Sequence, residues 1–214
     1  MNIDVLIVNV NLDLETTDGC EAIRARLAEL RDDLTYAIVH WRAPDLAART
    51  AAARGVLLGP NETPFPAYPD DLQGLLAWVR DQPGPLLGIC GGHQVLALAH
   101  GASVGPVHDV PAATTTYANM PKVSGMTTAR IVRDDRLIEG LPPEVRVASS
   151  HVDEVKSVPE GFRLVLKGEI SPIQLMAHEV RPLWGAQFHP ERGEDDGAGS
   201  ALLSRWLDLF ESEP

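Results

Sequence analysis

The chain is short of cysteine, with only Cys20 and Cys90 in 214 residues. Two thiols make no disulfide framework at this length, so the fold has to come from a core, and a reducing cytoplasm is the expected setting. No run of lysine or arginine occurs either. With 18 basic against 30 acidic residues, a formal net charge of −12, no basic face is available for a phosphate backbone, which argues against a nucleic-acid partner. Long apolar runs are missing as well. The N-terminal one, Val5 to Val10, is broken by Asn9 and follows no basic stretch, so neither a signal peptide nor a membrane span is expected. C-x-x-C and H-E-x-x-H are absent, and His93, His100 and His108 have no matching carboxylate pattern, so no metal site is expected. The phosphate-cradling patterns G-x-x-x-x-G-K-[ST] and G-x-G-x-x-G are absent too, leaving no cofactor to expect. With no internal repeat, low-complexity tract or linker, residues 1–214 read as one domain.

What is present has the composition of a globular protein, 44% hydrophobic and 22% charged. Ile3 to Val8 is nearly continuous in apolarity and rich in β-branched residues, as in a strand buried on both faces. Ile23, Leu27 and Leu30 then fall at helical spacing. Thr35 to Val39 and Gly55 to Leu58 repeat the strand signal, with helical segments at Pro44 to Ala53 and Leu72 to Val79. This alternation predicts βαβ units and a mostly parallel sheet. Gly59 to Pro69, with four prolines, is predicted to be an ordered loop at the carboxyl end of a strand, where open α/β sheets place their ligand sites. Residues 102–126 have no sustained periodicity and read as loop with short strands. Beyond them, short strands are predicted at Thr128 to Val132, Val145 to Ala148, Arg163 to Leu166, Ile173 to Ala177 and Pro182 to Gln187. A closing helix, Ala201 to Phe210, carries an apolar stripe, and Glu194-Asp195-Asp196 reads as a solvated loop.

One stretch joins strand to helix abruptly: Pro85-Leu86-Leu87-Gly88-Ile89-Cys90-Gly91-Gly92-His93-Gln94. Glycines on both sides of a cysteine permit a sharp, strained turn that bulky neighbours would forbid. The turn puts the sulfur at a helix N-terminus, where unpaired N–H groups and the helix dipole favour a thiolate. The residues alone admit two readings of Cys90, a nucleophile elbow or a buried structural cysteine.

A cysteine nucleophile needs a base, and the base an orienting group. Phe188-His189-Pro190-Glu191 supplies the residue types at the end of a strand: proline restricts the relative orientation of His189 and Glu191, so the carboxylate can hold one imidazole nitrogen and leave the other facing the thiol. The same two residues also read as a strand-end surface pair. Backbone donors for an oxyanion are available at Gly91 and at Gly59, the latter equally a turn glycine before proline.

Taken together, Gly88 to Gln94, Gly59-Pro60 and Phe188-His189-Pro190-Glu191 resemble the class I glutamine amidotransferase family, in that family's order and over essentially the whole chain. Ser150-His151-Val152-Asp153-Glu154-Val155 followed by Pro159-Glu160-Gly161-Phe162 is similar to the GMP synthetase branch, especially its separately encoded glutaminase subunits. The resemblance implies a flavodoxin-like open sheet with helices on both faces and a β-rich second half. It assigns Cys90 as nucleophile, His189 as general base and acid, Glu191 as orienting carboxylate, and Gly59 and Gly91 as oxyanion donors. Gln94, with Ser150, His151, Val152 and Asp153, would hold the α-amino acid end of glutamine, and His93 would be structural. Because the chain has no ATP motif, the resemblance implies a glutaminase that passes ammonia to a separate ATP-dependent synthetase. A stand-alone γ-glutamyl hydrolase with the same triad, or a non-catalytic regulatory or redox protein on the same scaffold, are the other readings. Four features depart from the family pattern: Gly91, where Leu or Tyr is usual; Leu58-Gly59-Pro60-Asn61, where Gly-Gly-Pro-Gly is usual; residues 106–125; and Arg192 with the acidic segment after it.

Overall fold

The computed structural model describes residues 3–108, 115–192 and 197–210; the predicted acidic loop at Glu194 to Asp196 and Pro111 lie outside them. In chain order these residues form β1 (Val5–Asn9), α1 (Asp18–Leu30), β2 (Tyr36–His40), α2 (Leu46–Ala52), β3 (Gly55–Leu58), α3 (Leu72–Arg80), β4 (Leu86–Ile89) and α4 (Gly91–Ala99). There follow β5 (Val104–Pro106), β6 (Val123–Ile131), β7 (Glu144–His151), β8 (Asp153–Val155), β9 (Phe162–Gly168), β10 (Ile173–His178), β11 (Leu183–Ala186) and α5 (Ala198–Asp208). Single 3-10 turns occur at Phe65–Ala67, Arg136–Ile138 and Pro190–Arg192.

Among the described residues, nine strands make one sheet in the order β2-β1-β3-β4-β11-β10-β9-β6-β7, and β5 pairs with β8 in a second, two-stranded sheet. The first five run parallel. The last four continue the sheet antiparallel, so the β-rich second half extends it as expected. The inner parallel strands β3, β4 and β11 are apolar throughout because both faces are covered. Val5, Ile7, Leu57, Leu87 and Ile89 pack on one side with α1 and α5. Leu6, Val8, Val56, Leu58 and Leu86 pack on the other with α2, α3 and α4. The stripe of α5 lies in the first layer: Leu202, Leu203, Trp206 and Leu207 are fully buried, each contributing roughly 1.5–3 kcal/mol relative to exposure.

Two strands are longer than their periodicity indicates. β6 starts at Val123 and β7 runs on to His151, because they pair residue for residue from Val123↔His151 to Arg130↔Glu144. Ser124, Gly125 and Met126 are exposed on this ladder, which removes the apolar alternation a strand normally shows. β8 carries no apolar signal of its own and is held by pairing with β5.

The parallel register sets up the site. Leu58 lies opposite Gly88, and Ile89 opposite Ala186, so β3, β4 and β11 end side by side. The segments leaving them, Gly59-Pro60-Asn61, Cys90 and Gln187-Phe188-His189, therefore emerge at one carboxyl edge, the position open α/β sheets use for ligands. No described helix is long and apolar enough to cross a membrane.

Candidate active site

Cys90 stands between β4 and α4 with φ 51° and ψ −102°. A non-glycine residue in that region carries about 1–3 kcal/mol of strain and persists only where the surroundings impose it. Here they do: the Cys90 N–H donates to the Ala186 carbonyl at 2.8 Å, and the Cys90 carbonyl accepts from Gln94 N–H at 3.1 Å, closing the first turn of α4. The sulfur is thereby fixed at the helix start. Gly91 N–H makes no hydrogen bond among the described residues and opens the first turn of α4, where unpaired N–H groups carry the positive end of the helix dipole.

His189 and Glu191 come together behind this sulfur. Glu191 Oε1 lies 2.7 Å from His189 Nδ1, both side chains being 3% or less exposed. Arg192 Nε approaches the same oxygen at 3.3 Å, so the residue that departs from the family pattern braces the carboxylate. His189 N–H donates to the Ala148 carbonyl of β7, fixing the backbone across the edge of the sheet. With Nδ1 held by Glu191, the buried Nε2 is the nitrogen left to exchange a proton with the Cys90 sulfur. Burial alone would discharge this imidazole, but the neighbouring Cys90 sulfur and the Glu191 carboxylate outweigh it and raise its pKa to about 10. A histidine held in this way beside a thiol is placed to exchange a proton with it.

In front of Cys90 opens a pocket of about 350 Å³, the size of a small-molecule site. Gln94, Ser150, His151, Val152 and Asp153, all expected at the substrate end, line it together with Cys90. Ser150 presents its carbonyl to the thiol at 4.0 Å. The His151 ring turns away to Ser171 Oγ at 2.9 Å; burial, reinforced by the His189 and Lys122 charges, lowers its pKa to about 4. Burial likewise takes the fully enclosed His93 down to about 3, in keeping with the structural role expected for it. Asp153 accepts from Tyr117 Oη at 2.6 Å, and burial pushes its carboxyl pKa up.

Six lining or contacting residues escape sequence reasoning, Glu62 and Met120 among them. Tyr117 and Lys122 come from the segment without periodicity, and Asn61 and Gln187 sit beside named motif residues. For Gln187 a signal exists: it is two residues before His189 at the end of a strand, so both can face one way.

Gly59 corrects the sequence reading. Its N–H is hydrogen-bonded to the Val8 carbonyl at 2.9 Å, continuing the β1–β3 ladder one residue further, and is not free for an oxyanion. The glycine is required by packing, since a Cβ would lie 2.5 Å from Cys20 Sγ. The N–H on this loop that makes no bond among the described residues and lies next to the elbow is Asn61's. Its nitrogen is 2.5 Å from where a Gly91 Cβ would be, and its Oδ1 is closer still. Asn61 thus occupies the space that a side chain after the nucleophile would fill, and the two departures from the family pattern fit into one another. Gly91→Ala is expected to push this loop outward, lowering stability by about 1–3 kcal/mol. Asn61→Gly in the same chain should recover only part, because the backbone nitrogen obstructs the Cβ too. Urea midpoints of the single and double variants check this.

Known proteins share this arrangement of elements. A sequence profile of the glutamine amidotransferase class-I family matches residues 19–206. The glutamine-hydrolysing subunit of GMP synthase from Archaeoglobus fulgidus is 40% identical over 114 residues, 53% of this chain and 56% of that one. Its counterpart in Methanosarcina barkeri is 36% identical over 134 residues, 63% and 64% of the two chains. The chain thus spans about half the length of the curated relatives it matches. Among solved structures, a candidate GMP synthase subunit from Thermoplasma acidophilum superposes with a TM-score of 0.75 at 24% identity, covering 98% of this chain and 95% of that one, which shows a shared fold.

Proposed function

The chain belongs to the class I glutamine amidotransferase family, and from that membership we propose that it is a glutaminase subunit, hydrolysing the side-chain amide of glutamine and supplying ammonia to a separate ATP-dependent synthetase. The observation that carries this reading is the convergence of a strained cysteine, a buried His–Glu pair and a polar pocket at one edge of the sheet.

The pocket suits a free amino acid. Glu62 and Asp153 line it with carboxylates, the partners an α-ammonium group needs, and Gln94 lies beside them. Lys122 is the one cationic side chain among the described lining residues, matched to an α-carboxylate. Held at both ends, glutamine would present its side-chain amide carbon to the Cys90 sulfur. The thiolate attacks, the oxyanion meets Gly91 N–H with Asn61 N–H as the nearest second donor, and the His189 imidazolium gives its proton to the departing ammonia. A γ-glutamyl thioester remains on Cys90. Neutral His189 then takes a proton from water, the resulting hydroxide attacks the thioester, and glutamate leaves with the thiolate regenerated.

The test is glutamate release from L-glutamine by the purified chain, alone and with a synthetase encoded beside it, ATP and an acceptor. Slow release alone and strong stimulation by the partner are expected. Undiminished activity alone on γ-glutamyl peptides would instead identify a stand-alone hydrolase, and no release under any condition would refute both.

A further inference from the structure

Gln187 has no role in the mechanism above, yet it is completely buried and touches the nucleophile. Its Nε2 donates to Cys90 Sγ at 3.8 Å, and its Oε1 accepts from Gln94 Nε2 at 3.3 Å. Gln94 Nε2 also donates to the Asp153 carbonyl at 2.7 Å. The partners fix both amide orientations: two oxygens flank the Gln94 nitrogen, so Gln94 Oε1 must turn elsewhere, where it is buried and makes no hydrogen bond among the described residues. With its own Oε1 committed to Gln94, Gln187 can offer only N–H to the sulfur.

Resting on the glutaminase reading, we propose that Gln187 is a positioning residue, its one amide donating to the Cys90 sulfur and accepting from Gln94, and so fixing the nucleophile relative to the substrate pocket that Gln94 lines. A carboxylate at this position could accept from Gln94 but has no N–H for the sulfur, and an apolar side chain could do neither. A carboxylate would repel the sulfur and compete for its proton; an apolar chain would leave Gln94 free to rotate. Other groups also act on the thiol: His189, backed by Glu191 and Arg192, Tyr117 with Asp153 across the pocket, His151 from β7, and the N-terminus of α4. Gln187 is the neutral donor among the side chains touching Sγ, so its contribution is separable from theirs.

The experiment is alkylation of Cys90 by iodoacetamide across a pH series, located by peptide mass, with glutamine kinetics and melting temperature measured in parallel. Cys20 does not interfere, because it is fully buried and burial holds its pKa at about 12. Gln187→Leu and Gln187→Asn should shift the alkylation midpoint up by about one pH unit, and Gln187→Glu by more. Each should lower kcat about 10-fold and raise KM about 10-fold, a split that simple loss of packing would not give. Unchanged midpoints in variants that melt like the wild type would overturn the proposal, as would failure of all three to fold, which would make Gln187 a core residue only. Alkylation needs no turnover, so a wild-type chain that shows the shift but releases no glutamate would refute the glutaminase reading and leave the Gln187–Cys90 contact standing.

Discussion

Cys90→Ala is expected to lower glutamate release from glutamine by on the order of 10⁴-fold or more, because without the sulfur no thioester forms and only positioning and oxyanion contacts remain. Cys20 cannot substitute. It lies at 0% exposure against Gly59, its thiol held protonated by burial and by the nearby Glu21 and Glu191 charges. The fold should survive. Among the described residues the sulfur's hydrogen bonds to Ser150 and Gln187 are long, His189 is its other polar neighbour, and alanine keeps the Cβ and the same strained backbone. Glutamine affinity by titration calorimetry should therefore stay within a few-fold of the wild type, since the groups proposed to hold its α-amino acid end are untouched. Residual activity above a tenth of the wild type would remove Cys90 from the mechanism.

Glu191→Gln is the second large effect, on the order of 10³-fold in kcat, by analogy with loss of the orienting carboxylate in other triads. An amide is isosteric but carries no charge to sustain the imidazolium. Burial, which lowers the His189 pKa, would then be opposed only by Cys90, and the raised value of about 10 should fall. Since the protonated ring serves the leaving ammonia, the alkaline limb of the kcat profile should move to lower pH. The same shift has a stability signature. A histidine whose folded pKa is raised stabilises fully below its ordinary value near 6.5 and loses that contribution as pH climbs toward 10. The destabilisation caused by Glu191→Gln should thus be largest at about pH 6 and shrink towards about pH 10, measured as urea midpoints. A kcat profile whose alkaline limb does not move would show that Glu191 does not set the charge on His189.

The order of elements and the three motif segments are legible in the sequence because each rests on a local rule. Parallel strands buried on both faces read as continuous apolarity, and a cysteine between glycines at a strand–helix junction needs no neighbour to be noticed. Gly59 misleads for the opposite reason. Whether a backbone N–H is free depends on how far a ladder runs, and the β1–β3 pairing continues one residue past the last apolar position. Tyr117 and Lys122 are hidden because they lie in a stretch with neither helix nor strand, before a β6 that is itself set by cross-strand pairing rather than by alternation. Gln187 stands in plain sight, but a lone glutamine announces chemistry only when its partners are known.

The interlock of Gly91 with Asn61 bears on how this sequence could have arisen. If a bulky residue after the nucleophile and a bare loop are one solution, and glycine with asparagine another, the single-step intermediates between them are a steric collision or an unfilled hollow. Drift along this lineage would have had to cross such an intermediate or move the loop as well, so the two positions should change together among relatives, each pair preserving the total volume beside the sulfur.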